Sequence, residues 1–272
     1  MQHPEWIAYL VFILDLTIRI GLSLRILMRG SPVGVTFAWM TIVLALPYIG
    51  ALLYLLIGEL RLGERRLGRA REVIEKSRPW RNALCARASR ETVNIPPGYQ
   101  SLDFHARKII GYPSLPGNTL TLLSDYQSIF RALINDIKAA QTSCSLEFYI
   151  WESGGLADEL LETVLEAHER GVHFRILLDA VGSKNFLRGE ACRRLRQAGI
   201  HVTDALHVNA LKMLFQRADI RNHRKIAVID SGIAYTGSQN LVDPRFFKQD
   251  AGVGEWVDLM IRVEGPAVTA LD

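Results

Sequence analysis

The sequence predicts an α/β domain behind an N-terminal transmembrane helical hairpin. Three observations carry this. Two long apolar segments fill residues 6–58, a basic run follows them, and from about residue 118 strand-like and helix-like periodicities alternate. Of the 272 residues, 49% are hydrophobic and only 22% charged, so the apolar and charged stretches must be segregated along the chain. The expected organisation is a hairpin over 1–60, a basic juxtamembrane segment and linker over 61–117, and the α/β domain over 118–272. The net charge of +4 does not choose between anionic lipid and nucleic acid as partner. Cys85, Cys144 and Cys192 form no CxxC, which excludes a cysteine-based metal or disulfide framework and fits a reducing compartment.

Ser31 to Gly58 holds no charged residue, and about 20 apolar residues suffice to cross a bilayer, so it is expected to form a transmembrane helix. Pro47 and Gly50 inside it predict a kink or a close helix contact. The first segment, Trp6 to Leu27, is interrupted by Asp15, Arg19 and Arg25. Asp15 and Arg19 lie four apart on one helical face and can pair, which favours a second span, with an interfacial helix as the alternative. No Lys or Arg precedes the apolar run and no small-residue cleavage site follows it, which argues against a cleaved signal peptide. Arg61, Arg65, Arg66, Arg69, Arg71, Lys76, Arg78 and Arg81 follow the hairpin, and by the positive-inside rule they place the following domain in the cytoplasm, beside an anionic leaflet.

Residues 89–118, with Pro96, Pro97, Pro113 and Pro116, read as an irregular linker. Then come a strand over 118–123, a helix to about Gln141 opened by a Ser124/Gln127 capping box, and a strand over Ser145 to Trp151. An amphipathic helix over 156–170 is stopped by Gly171, and a strand over 172–178 follows. A helix over 188–198, a short strand over 200–203 and a late strand over Trp256 to Val263 complete the pattern. Glu264-Gly265-Pro266 resembles a helix start, but too few residues follow it to cover a strand, so the domain is expected to be truncated.

Asn222 to Asn240 (NHRKIAVIDSGIAYTGSQN) carries the chemistry. It reads as a strand over 225–229, a turn at Asp230-Ser231-Gly232, a strand over 233–236 and a Gly-led loop. Residues two apart on a strand share a face, so His223 and Lys225 project together. A neutral imidazole can attack phosphorus and an ammonium can hold a phosphoryl oxygen. Ser238 and Asn240 at a Gly turn can donate further hydrogen bonds to developing charge.

The spacing His223-x-Lys225-x4-Asp230-x6-Gly237-Ser238-x-Asn240 resembles the motif of the phospholipase D superfamily. The hairpin, the linker, Phe148 to Trp151, Val242 to Phe247 and Gly252 to Asp258 are together similar to the bacterial cardiolipin synthase branch. The resemblance implies a phospholipase D-like α/β sandwich domain. Its reaction would turn two phosphatidylglycerol molecules into cardiolipin and glycerol, with no nucleotide, no metal and no nucleic-acid partner. By position, His223 is the nucleophile, Lys225 holds phosphoryl oxygens, Ser238 and Asn240 donate, and Gly237 permits close approach. Asp230 supports the motif's own turn, and Asp258 either orients a histidine or is a solvated strand residue. Arg217, Arg221 and Arg224 are surface charges that could attract an anionic headgroup. Such enzymes use two copies of the motif, one histidine attacking while the other handles protons. One copy is present here, so the second is expected from further C-terminal sequence or another chain. The alternatives are a homodimeric phosphodiesterase or nuclease of the superfamily, and an inactive membrane-anchored lipid-binding fragment.

Overall fold

The computed structural model describes residues 5–58, 68, 71–79, 82, 85–86, 93–111, 114–206, 221–248, 251–252 and 255–271. The described residues divide into two compact units, one within the first 70 residues and one from Arg71 onward.

In the first unit, α1 (Glu5–Met28) runs unbroken for 24 residues. Asp15 and Arg19 pair on it at 2.7 Å, so the charges that interrupt the apolar segment satisfy each other. Among the described residues, Trp6–Met28 is the one helix long and apolar enough to cross a membrane. The second apolar run departs from the expected single rod. It forms α2 (Val33–Ala45), breaks at Leu46, and resumes as α3 (Pro47–Leu53) with one π-helical turn, Tyr54–Gly58. Pro47 is the cause. It has no N–H to donate, and its ring excludes the preceding residue from helical geometry, as the φ of −129° and ψ of 72° at Leu46 record. Ile26, Val43 and Tyr54 are buried against Leu22, Trp39 and Met40.

The second unit contains helical residues 71–79 (α4) and, within the expected linker, the helix α5 (Gln100–Ile110). Its limits are readable in retrospect. A 3-10 turn, Pro97–Tyr99, leads in, and Gly111 closes it in the left-handed region at φ 78°. The prolines thus bracket a helix rather than mark a featureless linker.

Seven strands form one mixed sheet in the order β1-β7-β6-β5-β2-β3-β4. They are β1 (Thr119–Leu123), β2 (Ser143–Phe148), β3 (His173–Asp179), β4 (His201–Ala205), β5 (Ile226–Ile229), β6 (Ile233–Gly237) and β7 (Met260–Glu264). The strands β2, β3 and β4 are parallel, and every other pairing is antiparallel. The last strand starts at Met260 rather than at the expected Trp256, so Asp258 stands just ahead of it. The helix α6 (Tyr126–Ala139) is capped one residue later than expected, by Asp125, whose carboxylate accepts the Ser128 N–H at 2.7 Å. With α7 (Leu156–Glu169) it covers one face of the sheet. The stretch after β3 carries α8 (Lys184–Arg188) and α9 (Glu190–Gln197). Ile129, Leu133, Leu160 and Val164 meet Leu146, Phe148, Ile176 and Leu178 in a core where each side chain contributes about 1.5–3 kcal/mol. Tyr235 and Arg262 both bond Asp136 of α6, tying β6 and β7 to that helix.

The opposite face is covered by less. Val268 of the closing 3-10 turn, Pro266–Ala270, packs on Val228, Ala234 and Val263, while Leu120 and Leu122 stay exposed. What positions the functional site is the edge where β2, β3, β4 and β6 end and β5 and β7 begin, since ligands in such sheets bind beyond the carboxyl ends of the parallel strands.

Candidate active site

The segment before β5 is held by groups from β2, from β3 and from the residue just after β4. Arg221 donates to the Asp179 carboxylate through Nε at 3.1 Å and Nη2 at 2.6 Å, and through Nη1 to the Leu206 carbonyl at 2.9 Å. This ion pair is buried, with 7% and 0% of the two side chains exposed. Asp179 also accepts the Val181 and Gly182 N–H groups, both at 2.9 Å. Asn222 donates to Glu147 and accepts the Arg224 N–H, turning the chain just where His223 emerges. Arg221 is therefore no surface charge. A guanidinium in that position fixes the backbone, because losing one partner would leave the other charge buried and unpaired. Arg224 is exposed, and Arg217 lies outside the described residues.

His223 is solvent-exposed and its ring stacks on Tyr149, with centroids 4.2 Å apart and planes at 17°. Lys225 is buried, and its Nζ donates to the His223 carbonyl at 2.8 Å while lying 5.5 Å from the centre of the same Tyr149 ring. Burial lowers the Lys225 pKa, and the nearby charge of Asp258 raises it in part. No hydrogen bond joins Asp258 to His223 among the described residues; its charge acts on the lysine. The result is an accessible imidazole beside a partly desolvated ammonium, a pair suited to an anionic electrophile.

The loop after β6 completes the edge. Asn240 accepts the Ile150 N–H at 3.0 Å through Oδ1, which leaves its Nδ2 without a protein partner among the described residues. Gln239, buried, donates to the carbonyls of Asn240 (2.8 Å) and Val242 (3.0 Å) and so fixes that loop. The Ser238 hydroxyl accepts the Leu259 N–H at 3.0 Å. At Gly237 a Cβ would strike the Leu259 carbonyl and come within 2.8 Å of Met260 Cα. The glycine thus serves the approach of β7; the expectation of a close approach to substrate finds no support at this atom.

Asp230 is not brought to His223. It sits at the far end of β5, in the turn to β6, where both it and Ser231 adopt φ of 50°. Its carboxylate accepts Gln141 N–H (2.8 Å), Thr142 N–H (2.8 Å), the Thr142 hydroxyl (2.7 Å) and Ser143 N–H (2.9 Å). Burial alone would raise its pKa, but these donors hold it at about 2. A carboxylate so bound cannot carry protons near neutral pH. Its work is to fix the start of β2 against the hairpin.

Sequence reasoning did not single out Tyr149, Asp179 or Glu147. The position of Tyr149 in the aromatic run Phe148 to Trp151, just past the end of β2, was the available signal; nothing local marks Asp179, which meets Arg221 from 42 residues away.

Residues 133–254 match the family described as cardiolipin synthase, PLD-like domain, and residues 18–59 match the one described as phospholipase D-nuclease N-terminal. Residues 133–254 are a phospholipase D-like domain. Over 254 residues the chain is 44% identical to cardiolipin synthase A of Salmonella arizonae and to that of Salmonella paratyphi B, covering 92% of this chain and 52% of each of those. The chain spans about half the length of the curated relatives it matches. Among solved structures, NucT from Helicobacter pylori aligns with a TM-score of 0.45 and 15% identity, over 57% of this chain and 90% of that one.

Proposed function

We propose that the chain serves a membrane-bound phosphatidyltransferase that converts two phosphatidylglycerol molecules into cardiolipin and glycerol. The observation that carries this is the exposed imidazole of His223 beside the buried ammonium of Lys225, both against Tyr149. The likeness to cardiolipin synthase A supports the choice of lipid. A ring nitrogen of His223 attacks phosphorus, the bond from phosphorus to the glycerol oxygen breaks, and the departing oxygen takes a proton from a general acid. The hydroxyl of a second phosphatidylglycerol then attacks the phosphohistidine and gives its proton to that same group, now the general base; the phosphorus–nitrogen bond breaks, and both the imidazole and the acid are regenerated. One phosphodiester replaces another, so no external energy source is needed.

In this reading Lys225 Nζ and Asn240 Nδ2 hold the phosphoryl oxygens, Ser238 lends its hydroxyl, and the charge of Asp258 favours the ammonium form of Lys225. The general acid is the histidine of a second motif, supplied by further sequence or by another copy of the chain. Water must be kept from the intermediate, which a membrane-facing pocket favours. Residues 118–272 are the first half of the catalytic unit, and they face the cytoplasm of a bacterial inner membrane, where the basic run meets anionic lipid. Membranes carrying the protein, given labelled phosphatidylglycerol, are expected to release glycerol as cardiolipin appears, and His223→Ala is expected to stop both. Cardiolipin formed solely from a cytidine-activated lipid would overturn the substrate pair.

A further inference from the structure

We propose that α1 crosses the bilayer once and that residues 33–58 form a re-entrant hairpin, entering and leaving through the leaflet on the sheet domain's side. In one continuous helix Trp39 and Tyr54 would stand about 22 Å apart, and Ile42 and Gly50 about 12 Å. Instead the Trp39 and Tyr54 rings meet edge-on at 5.5 Å, and a Cβ on Gly50 would lie 2.6 Å from the Ile42 carbonyl oxygen. Both pairs are placed symmetrically about Leu46 and Pro47, the pattern of a chain doubled back on itself. The arms are short for a crossing. The 13 residues of α2 and the 12 from Pro47 to Gly58 reach about 20 and 18 Å, against a hydrocarbon core of about 30 Å.

The tip of the hairpin meets a polar anchor. Arg19, already paired with Asp15, donates through Nη1 to the carbonyl of Leu44 beside the break. Arg19 stands nine residues, about 14 Å, before the end of α1, close to the middle of a bilayer that α1 would cross. A helix broken in hydrocarbon must have its freed carbonyls satisfied within the protein, and a charged side chain there must be paired. One arginine meets both requirements. Outward-facing Phe37, Ile49, Leu52 and Ile57 are exposed and apolar, so the hairpin's surroundings are acyl chains.

Charge fixes the direction. Arg25 lies in the last turn of the first span and Arg29 just after it, Arg61, Arg65, Arg66 and Arg69 follow the hairpin, and residues 1–5 hold no Lys or Arg. Two full crossings would strand Arg25 and Arg29 on the side opposite the basic run. A re-entrant hairpin puts all of these arginines on one side, as the positive-inside rule favours.

Single cysteines in a full-length Cys85→Ser background decide between the two, the native Cys144 and Cys192 being buried. Gln2→Cys, Ser31→Cys and Lys76→Cys would each be treated with a membrane-impermeant maleimide in spheroplasts and in inverted vesicles. The expected result is that Ser31→Cys and Lys76→Cys react several-fold faster in inverted vesicles and Gln2→Cys in spheroplasts. Reaction of Ser31→Cys on the side opposite Lys76→Cys would overturn the proposal. Met28→Cys, at the exposed end of α1, reads the same side if Ser31→Cys fails to accumulate.

Discussion

The two ends of the β5–β6 hairpin come from one short motif and are built in opposite ways. At the turn, Asp230 has four donors on its carboxylate and a pKa of about 2. At the other end, His223 is exposed, stacked on Tyr149, and neighbours a lysine whose charge is only partly compensated. Saturated hydrogen bonding gives rigidity, and an exposed or uncompensated polar group keeps interaction free energy for a ligand. The motif therefore reads as one structural end and one chemical end, joined by a rigid strand pair.

Breaking the chemical end is expected to have the largest effect. His223→Ala should lower transferase activity by about four orders of magnitude or more, as loss of a nucleophile does, and shift unfolding by no more than about 0.5 kcal/mol. Parallel turnover and thermal-unfolding measurements would check this; a large loss of stability would show that His223 is structural.

The clamp behind His223 comes next. Asp179→Ala leaves the Arg221 guanidinium buried without its partner and should destabilise the sheet domain by about 3–5 kcal/mol in denaturant titrations. Asp230→Asn removes the charge from several hydrogen bonds and should cost about 2–3 kcal/mol. Its pH dependence separates it from the clamp. Because the folded pKa of about 2 lies below the unfolded value of about 3.9, the contribution of Asp230 is complete above about pH 4 and is lost as pH falls toward 2. The stability gap between the native chain and Asp230→Asn should close over that window. A gap that stayed constant down to pH 2 would mean that the carboxylate's charge is not what holds β2.

The smallest expected change sharpens the chemical end. Asp258→Asn removes the charge that raises the Lys225 pKa, so the lysine should titrate at lower pH, as followed by NMR after 13C-methylation of lysines. An unchanged or higher midpoint would remove Asp258 from the site.

Much of the sheet domain was legible because its signals are local. The alternation in β2 and β3, the amphipathic faces of α6 and α7, and the turn at Asp230 each lie within a few residues of the side chains that encode them. The errors fell where local signals compete. Pro-rich residues around 96–116 concealed α5, and an unbroken apolar run concealed the break at Leu46. Composition reports the solvent of that run, and only backbone sterics at Pro47 report its shape.

By itself the sequence determined the order of the strands, the motif that unites His223, Lys225 and Asp230, and the apolar character of residues 6–58. Only the tertiary structure decided how the motif is divided. The partners of Asp230 lie 87 to 89 residues away, Arg221 meets Asp179 across 42, and Tyr149 reaches His223 from the bend after β2. Periodicity and spacing encode which face a residue takes on its own element. Which charge is buried, saturated or left open depends on what that face meets, and pairing across the sheet sets it.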